Sequence, residues 1–251
     1  MTHGSPEGSP GDSFDTPPPA ARPGAVLCAA TRPLAACLCA VLCAVTLATF
    51  LPAVRCGFVN LDDEQYIRHP LVLDGLSIGG ISRSCTEVVF HNWAPLTILS
   101  YALDTTLFGP GPSGYHLTNV VLHAAAVTML FLAFARMTGR PTLAAAAMLL
   151  FAVHPLRVES VAWVAERKDV LSMAFFAGAL LAYERYCRGP TPARYLFVAA
   201  AMLGGLLSKA TIVALPALLV VLDVWPLGRV RLPGPPAATR AANRPARYAP
   251  A

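Results

Sequence analysis

Charge is what this chain has least of. Of its 251 residues only 13% are Asp, Glu, Lys or Arg, about half the share usual in a soluble domain. Lysine is nearly absent: Lys168 and Lys209 are the only two among 19 basic residues. The basic residues form no run and have no interleaved aromatics, which argues against nucleic acid as a partner. No CxxC pair occurs among the seven cysteines, which argues against a structural zinc site. A Walker loop, a GxGxxG turn, GxSxG and HExxH are all missing. GPGPSG at 109–114 reads as a turn and lacks the phosphate-loop lysine. No internal repeat is present.

What is abundant is apolar. The chain is 55% hydrophobic and its mean hydropathy is +0.55. The expected fold is all-α: a polytopic transmembrane helical bundle of about six spans, with amphipathic surface helices in its external loops. Residues 1–33, rich in Pro, Gly and Ser, are expected to be disordered. Residues 34–228 form the membrane domain, and 229–251 a basic, Pro-rich tail. The apolar runs fall at 34–54, 116–137, 141–153, 170–186, 195–207 and 211–225. Two of them, 141–153 and 195–207, are short for a full crossing. Between the first two runs lies a loop of about 60 residues, long enough to carry helices or function of its own. Within it Leu96, Leu99, Leu103 and Leu107 recur at helical spacing and predict a helix along the membrane surface.

Arginines set the expected orientation. Arg22 and Arg32, Arg136 and Arg140, Arg185, Arg188 and Arg194, and Arg229 and Arg231 all fall on one side of a six-span chain. That side should be cytoplasmic, with both termini there. The long first loop, the stretch 154–171 and the turn at Lys209 then share the opposite face.

That shared face collects the candidate chemistry. HPLRVESVAWVAERKDVL, 154–171, carries Arg157, Glu159, Glu166, Arg167, Lys168 and Asp169 between two apolar runs. As a helix it aligns Val158, Val161, Ala162 and Ala165 in one apolar stripe, with Glu159, Trp163 and Glu166 on another face. It serves either as a solvated face with local ion pairs or as an arginine-bearing surface for a phosphate. Asp62 and Asp63 in the first loop suit a metal, a general base or plain solvation. Opposite cations, these carboxylates suit sugar transfer from a lipid phosphate. His116, Asn119 and His123 line one face of the second run, where polar groups either act or pack. His91, Asn92 and Trp93 are candidates to line a pocket near the surface. Lys209 is either a second phosphate contact or a side chain that snorkels to the interface. Cys56 and Cys85 share the external loop and are candidates for a disulfide.

Five segments in order, GFVNLDDEQYI, HNWAPLTILSYALDTTLFG, GYHLTNVVLHA, FAVHPLRVESVAWVAERKDVLS and LLSKATIVALPALLVVLDVWPLGR, resemble the N-terminal membrane domain of the transmembrane and tetratricopeptide-repeat proteins. The resemblance covers roughly 55–229. It implies a GT-C-type O-mannosyltransferase that takes its sugar from a polyprenyl-phosphate carrier at the non-cytoplasmic face. By the same resemblance Asp62 and Asp63 are catalytic, and Arg157, Arg167 and Lys168 bind the donor phosphate, to which the position of Lys209 adds a further contact. Glu159 and Glu166 lie beside them by the same resemblance, and on the residues' own positions His91, His116, Asn119, His123 and His154 join the pocket lining. No cofactor is required, because the cations can neutralise the phosphate, though the carboxylates are compatible with a divalent metal. The partners are the lipid-linked sugar donor, a protein acceptor and membrane lipid. The expected setting is an integral protein of a bacterial inner membrane. Two other readings compete: a non-catalytic membrane module that binds lipid phosphate or a longer partner, and a transporter. The clustering of charge at one face, away from the bilayer midplane, disfavours transport.

Overall fold

The computed structural model describes residues 31–230. The two Pro-rich tails predicted at the ends lie almost wholly outside the described residues. The rest is helical: α1 (Arg32–Phe50), α2 (Asp63–Ile67), α3 (Pro70–Leu73), α4 (Ile78–Ser84), α5 (Pro95–Phe108), α6 (Pro112–Thr138), α7 (Pro141–Ala152), α8 (Arg157–Ala162), α9 (Arg167–Arg188), α10 (Pro192–Leu206) and α11 (Leu215–Val224). Short 3-10 turns extend α1 and precede α9 and α11. No strand occurs among the described residues beyond one isolated bridge, Val89 with Asn92.

Each of the six apolar runs forms a helix, but they are not alike. Arg32–Arg55 and Pro112–Thr138, at 24 and 27 residues, are long and apolar enough to cross a membrane. Pro141–Ala152, Pro192–Leu206 and Ala210–Val224 are apolar but shorter. At 12 residues, α7 reaches about 18 Å, against roughly 30 Å of hydrocarbon. The 22-residue α9 has the length but carries charges at both ends.

The distribution of side chains runs opposite to that of a water-soluble domain. Phe197 is 70% exposed, Leu196 67% and Leu150 71%, while Asp63, Asp104, Arg167 and Glu184 are buried. Soluble monomers rarely turn so much large apolar surface outward. An apolar surround makes both choices favourable. Helix α5 shows the inversion clearly. Its predicted leucine stripe faces out, with Leu103 and Leu107 exposed, and Thr97, Tyr101 and Asp104 face in.

The core is built from small residues. Ala126, Ala133, Ala135, Ala144, Ala145, Ala152, Ala177 and Ala179 lie in one buried cluster among α6, α7 and α9, where small side chains let helix backbones approach. Gly204 in α10 lies against Phe175 of α9, so close that a Cβ there would fall 2.5 Å from the ring. Helix α6 ends at Gly139, in the left-handed region at φ 69, and Pro141 starts α7 two residues later.

Candidate active site

The long first loop folds into α2–α5 and closes over one end of α6 and α9. Three segments distant in sequence meet there. Asp63 accepts hydrogen bonds from the backbone N–H of Val59 (2.8 Å) and of Ala165 (2.7 Å). The Tyr101 hydroxyl donates to the carbonyl of Val164 at 2.7 Å. The N-terminus of α5 docks on the turn after α10: Leu96 N–H donates to Leu207 O at 3.1 Å, and Thr97 Oγ1 to Ser208 O at 3.2 Å. The first loop, the stretch around Trp163 and the turn bearing Lys209 therefore share one end of the molecule.

The stretch 154–171 is not the continuous amphipathic helix that its spacing predicts. Helix α8 stops at Ala162, and Trp163 takes an extended conformation (φ −86, ψ 122) before a 3-10 turn at Val164–Glu166. The break takes the backbone groups of 163–165 out of a helical ladder, and distant side chains take them up. Asn119 Nδ2 donates to Trp163 O at 3.2 Å, Tyr101 bonds Val164 O and Asp63 bonds Ala165 N–H. Tertiary partners thus outweigh the local periodicity. Val158, predicted in the inner stripe, is exposed.

Arg167, the first residue of α9, is fully buried. Its guanidinium donates to Asp104 Oδ2 (2.6 Å), Tyr115 O (2.8 Å), Ser100 Oγ (3.3 Å) and Asn119 Oδ1. It also lies over the Tyr101 ring, 5.1 Å from its centroid. Four acceptors occupy a side chain that has five donors. The expectation that Arg167 meets a phosphate is therefore corrected: it is enclosed, with four of its five donors already engaged, and it ties α5, α6 and α9 together. Asp104, its partner, was not singled out in the sequence. Burial pushes the Asp104 carboxyl above its ordinary range, and the Arg167 charge and the Thr118 hydroxyl oppose that. The signal that could have found it is an acid four residues after Ser100 and three after Tyr101, within one helical turn of both.

The next residues turn outward. Lys168 Nζ pairs with Glu166 Oε1 at 3.0 Å and lies 5.8 Å from the centroid of the Tyr66 ring. Lys209 Nζ pairs with Asp169 Oδ1 and stands 3.9 Å from Glu166 Oε2. Glu166 thus lies between the chain's two lysines, whose side chains remain 18% and 30% exposed. Burial draws the Lys168 ammonium down, but its hydrogen bond and charge contact with Glu166 outweigh this and raise it overall. The local ion pairing that the sequence suggests is kept only between Glu166 and Lys168, two residues apart, while Asp169 pairs with Lys209, 40 residues away.

The remaining candidates fall in different places. Asp62 is half-buried and caps nothing with its side chain, so its carboxylate is unengaged. Arg157 lies over the Phe151 ring at 5.2 Å, apart from the lysines. Glu159 is exposed, and His154 accepts a bond from Leu156 N–H at 3.2 Å within its own turn. His123 bonds Ala152 O at 3.1 Å and meets Phe50 edge-on at 5.2 Å, which is packing geometry. His116 is buried with neither ring nitrogen hydrogen-bonded, and the Trp163 indole N–H is likewise buried and unpaired. His91 stands exposed at φ 60, next to Phe90 at φ 45. Left-handed backbone at a non-glycine residue costs about 1–2 kcal/mol. The turn holds because the Phe90 ring packs edge-on against Tyr66 at 5.6 Å and Asn92 Nδ2 donates to the Tyr66 hydroxyl at 3.0 Å. Trp93 is exposed and not enclosed in a pocket. Cys56 and Cys85 are free, exposed thiols. Among the described residues no three His, Cys, Asp or Glu side chains form a metal-holding group.

The fold and this junction define a helical protein suited to an apolar surround, with carboxylates and lysines gathered at one end of its long helices. Residues 92–235, more than half the chain, match the dolichyl-phosphate-mannose-protein mannosyltransferase family, and the chain belongs to that family. It is similar to the protein O-mannosyl-transferase Tmtc1 of Drosophila melanogaster, 30% identical over 188 residues that cover 72% of this chain and 22% of that protein. It is similar to TMTC2 of Homo sapiens, 41% identical over 97 residues, 38% of this chain and 12% of that protein. With TMTC3 of Mus musculus it shares 39% identity over 99 residues, 39% of this chain and 10% of that one. The chain spans about a fifth or less of the length of these relatives. No solved structure matches it. The family match takes in α5, the Arg167 network and both lysines, and begins after Asp62 and Asp63.

Proposed function

We propose that the chain is the donor-handling part of a membrane glycosyltransferase of GT-C type, one that takes a mannose-like sugar from a polyprenyl-phosphate carrier. Lys168 and Lys209 hold the phosphate, and Asp62 takes the proton of the acceptor hydroxyl. The carrying observation is the junction through Asp63, which binds the loop that holds Asp62 to the turn before Lys168. An ammonium has three donors. Lys168 engages Glu166 and, at 3.5 Å, Ala165 O, and Lys209 engages Asp169. Donors therefore remain on both for phosphate oxygens. Asp63, with both oxygens on backbone N–H groups, acts by positioning, and Arg167 is assigned the same role. The acceptor is a protein hydroxyl. The chain lies in a membrane with up to six helices in the bilayer, the shorter ones at partial depth, and the junction faces away from the cytoplasm. A bacterial inner membrane with both termini cytoplasmic is part of this reading, and a divalent metal at the carboxylates is compatible with it.

The test is sugar release by the purified chain from polyprenyl-phosphate mannose. Asp62→Asn should lower turnover by on the order of 10²-fold or more, as for loss of a general base. Lys168→Gln with Lys209→Gln should raise the apparent KM for donor. Unchanged turnover in Asp62→Asn removes that carboxylate from the mechanism. One observation favours the second reading, a module that binds lipid phosphate without catalysis: Glu166 and Asp169 already balance both lysines. Donor binding without sugar release, in the wild type, would decide for it.

A further inference from the structure

The opposite end of α6 has cations of its own. An apolar cavity of about 690 Å³ opens between α1 and the second half of α6. Ala36, Ala40 and Leu132 line it, together with Arg32, Arg136 and Arg188, which lie at the ends of α1, α6 and α9. Glu184 is the acid that faces them. It is 2% exposed, lies 4.0 Å from Arg136 and also contacts Arg188. One buried carboxylate therefore serves two guanidiniums, whose side chains stay 27% and 32% exposed. Arg32 has no ion pair among the described residues. The three lining arginines and Glu184 together carry two net positive charges.

Arg136 lies 17 residues beyond Asn119 on α6, which is about 25 Å along the helix axis. Roughly 30 Å of hydrocarbon separates the two headgroup layers of a bilayer. A molecule with an acyl chain in this groove thus has its headgroup at the guanidiniums, on the side away from the lysine junction. Planar guanidinium forks suit phosphate oxygens, and basic pockets between membrane helices take anionic lipid headgroups. We infer that the groove between α1 and α6 binds an anionic phospholipid, with its acyl chain along Ala36 and Ala40 and its phosphate on Arg32, Arg136 and Arg188. This site rests on the membrane setting and is independent of the transferase reading.

The experiment is retention of phosphatidylglycerol against phosphatidylcholine by the purified full chain, read by native mass spectrometry. Each cation near the surface is worth about five-fold in binding, so two net charges predict about 25-fold preference for phosphatidylglycerol. Arg32→Gln lies outside the Glu184 cluster and should reduce that preference about five-fold. Ala36→Leu fills the exposed groove without touching the core and should reduce retention of both lipids. Equal retention of the two lipids by the wild type overturns the inference. So does a preference unchanged by both variants. Lipid-free chains that associate through this face, and separate on Ala36→Leu, would overturn it in favour of a second copy as the occupant. None of these readouts involves sugar release.

Discussion

Replacing Asp104 with Ala should be strongly destabilising, because it breaks a fully buried ion pair. The partner, Arg167, is 0% exposed at the side chain, and Asp104 is 3% exposed. Solvent therefore cannot take over the interaction, and no discount for screening applies. The substitution strands a cation whose remaining acceptors, Ser100 Oγ, Asn119 Oδ1 and Tyr115 O, are all neutral. Removing one member of a buried pair costs about 3–5 kcal/mol. For a domain of this size about 1 kcal/mol shifts Tm by roughly 2–4 °C, so a fall of about 6–20 °C is expected in detergent or nanodiscs. Asp104→Asn should cost less than the alanine, since its amide oxygen still accepts from the guanidinium while its NH2 turns to Thr118 Oγ1, but it removes the countercharge. The double variant Asp104→Leu with Arg167→Met should recover part of the loss and no more, because Asn119 and Tyr115 O lose their donor. Its departure from the sum of Asp104→Leu and Arg167→Met measured alone reports the pair itself. A Tm for Asp104→Ala within 1–2 °C of wild type, with both single variants folded, would refute the burial argument.

Other outcomes follow from the same geometry. Asp63→Asn weakens two charge-assisted bonds to backbone N–H groups, each worth about 1.5–3 kcal/mol. It should lower Tm by several degrees, while Asp62→Asn should leave Tm nearly unchanged. Equal effects of the two would contradict the division of roles between adjacent carboxylates. Lys168 is raised above the ordinary lysine value of 10.5. The stability it contributes is therefore whole below pH 10.5 and lost only as pH rises through the higher folded value. The contribution measured as wild type minus Lys168→Gln should be flat from pH 6 to about pH 9, and a slope in that window would count against the pairing. Gly204→Ala places a Cβ 2.5 Å from the Phe175 ring and should cost about 1–3 kcal/mol. No change in Tm would mean that α9 and α10 can separate freely.

The legible part of the fold was the part governed by apolar runs. Runs bounded by Pro and Gly gave helices close to their predicted limits, as in α6, α7 and α10. Their depth in a membrane was less legible, because span length and helix length differ where Pro141 and Pro192 force new helices. The convergence of three segments at one end was readable from arginine placement and is matched by contacts through Asp63, Tyr101 and Thr97. The individual roles were not readable. Adjacent side chains of like chemistry look equivalent in a sequence, yet Asp62 and Asp63, or Arg167 and Lys168, lie in opposite surroundings. What separates them is whether a partner such as Asp104 or Ala165 N–H stands opposite, and that information lies 63 and 102 residues away.

Trp163 explains why six charges crowd one connection without acting together. A helix running unbroken from Arg157 to Arg188 would use the backbone groups of 163–165 within its own ladder. Asp63, Asn119 and Tyr101 would have lost their partners there. With the ladder broken at an extended residue, α9 begins afresh at Arg167, and successive side chains then point about 100° apart. Arg167 enters the helix bundle towards Asp104, and Lys168 swings out towards Glu166 and Lys209. Of the charges of this stretch Arg167 turns inward and fastens three helices, while Glu166, Lys168 and Asp169 form an outer group that pairs with itself and with Lys209. Restoring the helix at this point would dissolve both groups at once. The first would lose the orientation of its guanidinium, and the second would lose the bond from Asp63 to Ala165 N–H that fixes the turn just before it.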